Sequence, residues 1–425
     1  MSRLLPLRGI HYNPELVRLG GVLAPPYDVI SPARREDLYG RDLRNIVRVD
    51  FGLAYEDDVA GQRDAYTRAA EHLRSWLEMG ILVRDRRPAL YLVAHEFAAP
   101  DGGSGRRLGL VGRVPALPWE RSAVLPHERT LRGPKEDRLA LLRATGTQTS
   151  PVWLIWKGAT GLRGRLEELA TGTALIGGRF AGEAGPEKLL LWRLDEEEML
   201  GELGRLLAPA ALYVADGHHR FETAAAYAAE RRLAGDAEAA DSQHVLVYAS
   251  AADDPALVVL PIHRLVERRP GLPASPEEVG SRLGADWEME PVVGDPLRSL
   301  AQLDGLRGRS HAFVLVAPGG AALLHRPRVE TTSARAALDT AVLQDEVIGR
   351  FGIGDSELRE GALSYTRDPA EAVASVRGGE AGLAFLVSPC TAAEVLAVAD
   401  SGDTMPQKST YFYPKVPTGL VLSPV

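Results

Sequence analysis

The sequence predicts a mixed α/β (α+β) fold, and three observations carry that expectation. Short apolar runs with strand character alternate with helical patterns between residues 90 and 260. One such run, Leu212 to Ala215, passes through Asp216-Gly217-His218-His219-Arg220 into a long Ala-rich helix ending near Gly235. The mixture of 45% hydrophobic and 25% charged residues over 425 positions is that of a globular chain with two or three domains.

The elements follow in order. Ala24-Pro25-Pro26-Tyr27-Asp28-Val29-Ile30 is rich in turn formers, and Ser31-Pro32 then starts a helix, with Ser as N-cap and Pro in the first turn. Residues 64–79 place Ala65, Ala69, Leu73, Trp76 and Leu77 at helical spacing, and Gly80 ends that helix. Residues 90–94 and 108–114 read as a hairpin around the Gly-rich loop 101–105. From Pro118 the texture changes. A polar loop at 126–130 precedes a helix at 135–144, strands at 151–156 and 189–193, and a helix at 196–207. Strands at 244–249 and 257–260 follow the Ala-rich helix. Arg269-Pro270-Gly271-Leu272-Pro273 is the best candidate boundary. Beyond it come a helix at 276–283, strands at 312–316 and 321–325, a helix through 338–350 and a strand at 383–387. The expected organisation is an N-terminal region 1–117, a core 118–268 and a C-terminal region 269–425.

Composition narrows the function. A net charge of −8 disfavours a dedicated nucleic-acid binder. No apolar run of about 18 residues is present, so no transmembrane helix is expected. The first eight residues hold no long apolar stretch, so a secretory signal is not expected either, and the inferred compartment is the cytoplasm. The lone Cys390 excludes an internal disulfide, and its place after Phe385-Leu386-Val387 reads as the end of a buried strand. Arginines number 44 against five lysines: Lys135, Lys157, Lys188, Lys408 and Lys415. Lys is a compact point charge that Arg does not reproduce, so Lys135, Lys408 and Lys415 are candidates for specific roles, whereas little chemistry is expected of Lys157 and Lys188.

The Asp-Gly-His-His-Arg turn carries the most chemistry. Asp216 can cap the helix and Gly217 permits close backbone approach. First-turn N–H groups are unpaired and favour an anion. His218, His219 and Arg220 add cationic donors at the helix end where the dipole disfavours a cation, a conflict that a bound phosphate or diphosphate resolves. A solvated polar helix start and a two-histidine metal site are the alternatives.

The string Tyr213-Val214-Ala215-Asp216-Gly217-His218-His219-Arg220-Phe221-Glu222-Thr223-Ala224 resembles the core motif of a bacterial and archaeal family catalogued as domain of unknown function 1015. Ala24 to Ile30, Arg44-Asn45-Ile46-Val47-Arg48, Pro126-His127-Glu128-Arg129-Thr130, Leu260-Pro261-Ile262-His263-Arg264 and the tail from Met405 to Lys415 match it in the same order. The middle third also resembles the free-serine kinases of the ParB/sulfiredoxin-like superfamily, which phosphorylate L-serine with ADP or ATP. That resemblance implies a ParB/sulfiredoxin-like nucleotide-binding core with N-terminal and C-terminal α+β extensions. It implies that Glu128 is the general base and that Asp216, Gly217, His218, His219, Arg220 and Thr223 hold the phosphates, with Asp216 and His219 in the catalytic group. Residues 157–188 then stand as an insertion.

Phosphoryl transfer needs donors on the phosphate oxygens, a base and usually Mg²⁺, for which Asp216 is the candidate ligand. Lys408, Ser409, Thr410 and Lys415 are the candidate substrate contacts, joined by Tyr27 and His127. The competing view of the tail is that Tyr411-Phe412-Tyr413 staples it to the core. The His263-Arg264 pair either supports the phosphate site or is an ordinary buried pair. The expected function is a cytoplasmic, Mg²⁺-dependent phosphotransferase acting on a small hydroxyl compound, with a nucleotide as donor and a homodimer allowed. A phosphoserine-type phosphatase and a nucleotide-gated binding protein are the alternatives.

Overall fold

The computed structural model of the chain describes residues 4–100, 102–128, 133–183, 185–237 and 240–425, so Arg129 and Thr130 of the polar loop lie outside the described residues. The chain divides into two compact units. The first comprises 1–126, 130–258 and 414–425, and the second comprises 127–129 and 259–413.

The first unit is built on a mixed sheet of eight strands among the described residues. These are β1 (Leu90–Ala98), β2 (Ser104–Pro115), β3 (Val124–Leu125), β4 (Val152–Lys157), β5 (Ile176–Ala181), β6 (Pro186–Leu194), β7 (Ala211–Asp216) and β8 (His244–Ala251). Their order is β3-β7-β4-β8-β2-β1-β6-β5. β3 with β7 and β4 with β8 are parallel, and the other neighbours are antiparallel. The strands of residues 1–117 therefore share one sheet with those of 118–258. The physical reason is that β2 is buried along most of its length and takes β1 on one edge and β8 on the other. Residues 157–188 supply the far edge of this sheet, pairing β5 with β6.

Helices cover the sheet and cap as the local sequence dictates. In α1 (Pro32–Arg41) Ser31 accepts the Arg34 N–H, and in α2 (Ala65–Glu78) Asp64 and Thr67 form a capping box. α3 (Gly133–Thr145), α4 (Leu162–Leu169), α5 (Glu197–Leu207) and α6 (His218–Leu233) follow. Leu92, Leu110, Leu154, Val214, Phe221 and Val247 meet in one fully buried core.

The C-terminal segment returns to this unit. Thr418 and Ala24 exchange backbone hydrogen bonds. The Arg107 guanidinium, fully buried and 3.9 Å from the Trp153 ring centre, donates to the Pro414 carbonyl at 2.8 Å. A buried cation stacked on an indole and bonded to main chain fixes where the segment enters.

The second unit holds a six-stranded sheet of β9 (His263–Glu267), β10 (Glu288–Val292), β11 (Ser310–Ala317), β12 (Gly320–Pro327), β13 (Leu363–Thr366) and β14 (Ala381–Val387), in the order β10-β12-β11-β14-β9-β13. Residues 338–350 depart from the regular helix expected of them. The segment runs as α-helix over Asp339–Val342, π-helix over Leu343–Val347 and 3₁₀-helix over Ile348–Phe351. The widened turn lets Leu343, Val347 and Ile348 all reach the core, while exposed Asp345 and Glu346 pair with Arg335 and Arg326 at 2.7 Å. Cys390, three residues past β14, is buried as expected.

His263 is 1% exposed, and its Nδ1 accepts the Val387 N–H at 3.2 Å. Burial, then the Arg264 charge, push its pKa down to about 4. Between its ordinary value of about 6.5 and about 4 the unfolded chain binds the extra proton. Stability therefore rises with pH through this window and is lost as pH falls through it. We expect His263→Leu to flatten this acid limb of the unfolding midpoint, removing a pH-dependent contribution on the order of 3 kcal/mol. A limb unchanged by the substitution would refute the assignment.

Candidate functional site

β7 delivers Asp216 to the start of α6 through Gly217, whose φ of 98° is left-handed. A Cβ at Gly217 would sit 3.0 Å from the Arg220 guanidinium, so glycine serves both the turn and the close approach. Gly217 takes the N-cap position, and Asp216 stands one residue before it. Both Asp216 oxygens are drawn to cations, Oδ1 accepting from Lys415 Nζ and Oδ2 from Arg220, each at 2.5 Å. Lys415 also donates to Asp28 Oδ2 at 2.7 Å. Arg220 donates to Ser150 Oγ at 2.6 Å and to the Pro151 carbonyl.

Burial alone would lower the Lys415 pKa, but Asp216 and Asp28 more than offset it and hold the amine above its ordinary value. Lys415 is therefore a fixed cation held between two carboxylates near the amino end of α6. His218 is buried, its ring centre 6.3 Å from that of Trp119, which stacks on Phe221 at 4.1 Å. His219 is half-buried on the same first turn. Lys135, near the start of α3, pairs with Glu222 one turn further along α6.

A cleft of about 430 Å³, solvent included, adjoins this turn, with Tyr27, Asp50, Arg138, Ser150, Arg220 and Thr223 among its lining. The Arg138 guanidinium lies 4.2 Å from the centre of the Tyr27 ring. Burial, then Asp28, push the Tyr27 hydroxyl up to about 12, so it stays protonated. Asp50 Oδ1 accepts from Thr149 Oγ1 at 2.6 Å and lies 3.5 Å from Arg138. Asp50 Oδ2 and Thr223 Oγ1 are buried with no hydrogen-bond partner. Two orphaned polar atoms on residues lining one cleft are unusual, because buried polar groups are nearly always satisfied.

The second unit holds the other group of predicted residues. His127 and Glu128 run beside the segment from Met405, which donates its N–H to the His127 carbonyl at 2.8 Å. Glu128 Oε1 accepts the Lys408 N–H at 3.3 Å, and His127 Nε2 bonds Thr410 Oγ1 at 3.0 Å. Lys408 has φ 56°, the one positive value for a non-glycine among the described residues, and its side chain is exposed. Ser409 is buried and donates to the Pro406 carbonyl at 2.6 Å. Tyr411, Phe412 and Tyr413 are all buried. The tail therefore divides. Lys408, Ser409 and Thr410 belong to the second unit with Glu128, and Lys415 belongs to the first with Tyr27 and Asp216.

The family model described as a protein of unknown function, DUF1015, matches residues 4–341. The chain belongs to this family. No curated protein matches it. Among solved structures it is similar to a conserved hypothetical protein from Pyrococcus furiosus, at 15% identity and a TM-score of 0.37, covering 74% of this chain and 95% of that one. It is similar to a free serine kinase in complex with AMP, at 14% identity and a TM-score of 0.37, covering 73% and 92%. It is also similar to SbnI with a C-terminal truncation from Staphylococcus aureus, at 12% identity and a TM-score of 0.36, covering 74% and 87%.

In this DUF1015 chain the donor set for a metal is poor. Among the described residues no group of three or more His, Cys, Asp or Glu side chains could hold an ion. Asp216, the candidate Mg²⁺ ligand, would have to release Lys415 or Arg220 to bind one directly. The residues do not fit a direct Mg²⁺ ligand there. No described helix is long and apolar enough to cross a membrane. Sequence reasoning missed Asp50, Arg138 and Ser150. The signals were faint: Asp50 lies two residues past the Arg44–Arg48 block, and Arg138 three past Lys135.

Proposed function

We propose that this protein is a phosphotransferase that moves a phosphoryl group from a nucleotide to a small hydroxyl compound, with free L-serine as the first acceptor to try. The observation that carries the reading is the Asp-Gly-His-His-Arg turn at the start of a 16-residue helix, with Lys415 and Arg220 meeting at Asp216. The first-turn amides of a helix and fixed cations at one point suit a polyphosphate. His218, His219 and Arg220 are its side-chain donors. The nucleoside half suits the adjoining cleft, where Asp50 Oδ2 and Thr223 Oγ1 await donors such as ribose hydroxyls. Arg138 already offsets the Asp50 charge, which favours a neutral hydroxyl or amine over a cation there.

Glu128 is the base that the sequence resemblance assigns. The acceptor oxygen attacks the terminal phosphorus, the bond from that phosphorus to the bridging oxygen breaks, and the hydroxyl proton passes to Glu128. Lys408 and Thr410, in the same unit as Glu128, are the candidate acceptor contacts.

A nucleotide-gated binding protein is the second reading, favoured by the engagement of both Asp216 oxygens with side-chain cations. The deciding experiment is ³¹P NMR of purified protein with Mg²⁺, ATP or ADP, and a panel of hydroxy amino acids. Loss of one phosphate from the nucleotide with matching phospho-product is expected. No product with any donor and acceptor would overturn the kinase reading, and tight calorimetric nucleotide binding alongside it would establish the second one. Phosphoserine hydrolysis without nucleotide would point instead to a phosphatase.

A further inference from the structure

Arg264, on β9 of the second unit, is fully buried. Its Nη1 donates to the Ile262 carbonyl at 3.0 Å, its Nη2 meets Ser409 Oγ at 3.4 Å, and its Nε has no partner. No carboxylate forms an ion pair with it among the described residues. A guanidinium does not lose its proton in a protein, so a buried one needs a countercharge.

The acidic groups that act on Arg264 are Tyr365, Cys390 and Glu128. Burial pushes the Tyr365 hydroxyl up and the Cys390 thiol up to about 12, so both are neutral at neutral pH. Neighbouring His263 is uncharged there too. His127 is engaged with Thr410, and the Lys408 side chain is exposed. Of the three, Glu128 is the one carboxylate, and it acts on Arg264. The interaction is mutual, because a charge that favours the guanidinium is favoured equally by it. The same guanidinium reaches Ser409, next to Lys408, whose N–H Glu128 accepts.

We propose that Arg264 is a positioning residue, coupled to Glu128, that holds Ser409 in the turn whose Lys408 N–H meets the Glu128 side chain. The coupling stands on the second unit alone; its consequence for catalysis rests on the reading of Glu128 as the base.

A double-mutant cycle on the full chain tests the coupling. Urea unfolding midpoints at pH 7 are compared for wild type, R264Q, E128Q and the double variant. The double variant is expected to lose clearly less than the sum of the singles, and E128Q to cost as much in R264K as in wild type. R264M supplies the same corner of the cycle should R264Q not fold. Additive midpoints would overturn the proposal whether or not the protein transfers phosphate. In the phosphotransfer assay, R264Q is expected to move the acid limb of kcat/KM up by about one pH unit, with R264K leaving it in place. A limb unmoved by R264Q, in an active enzyme, would reduce Arg264 to a structural cation and also overturn the proposal. An inactive wild type would overturn the kinase reading, while the unfolding cycle would still decide the coupling.

Discussion

Replacing Lys415 by Met is expected to destabilise the protein by about 3 kcal/mol at pH 7, read as urea unfolding. The Lys415 side chain is 7% exposed, against 18% for Asp216 and 33% for Asp28. Methionine matches the stem but leaves two carboxylates facing each other. Asp216 keeps Arg220, and Asp28 is a third exposed to water, so the cost falls at the low end for a broken buried pair. The sign of the pH dependence follows from the direction of the Lys415 shift. Its folded-state pKa is raised, so the stabilisation is fully present below the ordinary lysine value of about 10.4 and is lost as pH rises through the folded value. The Met variant should therefore be least distinguishable from wild type in strong alkali. A change below about 0.5 kcal/mol at pH 7 would mean that the clamp contributes nothing net. Arg is not a safe substitute, because its planar fork cannot place one charge between two carboxylates as an ammonium does.

The second large effect is on chemistry. Glu128→Gln is expected to lower phosphotransfer at least 100-fold, while the variant, though destabilised by the loss of its coupling to Arg264, stays folded under the assay conditions. The amide keeps an oxygen to accept the Lys408 N–H but cannot take the acceptor's proton. Nucleotide affinity, measured by calorimetry, should stay within about twofold of wild type, because every proposed nucleotide contact lies in the other unit. Equal loss of affinity and turnover would show that Glu128 acts in binding rather than as the base.

Much of the architecture was legible in the chain because its signals are local. Ser31-Pro32 and Asp64 start helices wherever the chain goes, since a side-chain oxygen three residues from an N–H satisfies it without help. The strand at Leu212, the glycine turn and the long helix were legible for the same reason. Only glycine accepts the φ of 98° between β7 and α6. Residues 338–350 misled because their apolar spacing is helical on average. Which turn widens there depends on the core it packs against.

The site divides along the same line. By itself the sequence determined the Asp-Gly-His-His-Arg turn and marked Tyr411-Phe412-Tyr413 as a staple for the tail. Tertiary structure decided what each charge meets. Asp216 reads as a cap in sequence, and only the folded chain shows that Lys415 and Arg220 meet its two oxygens. Asp50 and Arg138 carry no motif and became visible only as neighbours around a cleft. Lys408 and Lys415 look like one tail, yet a buried arginine holding the Pro414 carbonyl marks the point where the chain passes from one unit to the other. Local hydrogen bonding is written in adjacent residues, whereas the partner of a buried charge is set by distant segments that only the packed core brings together.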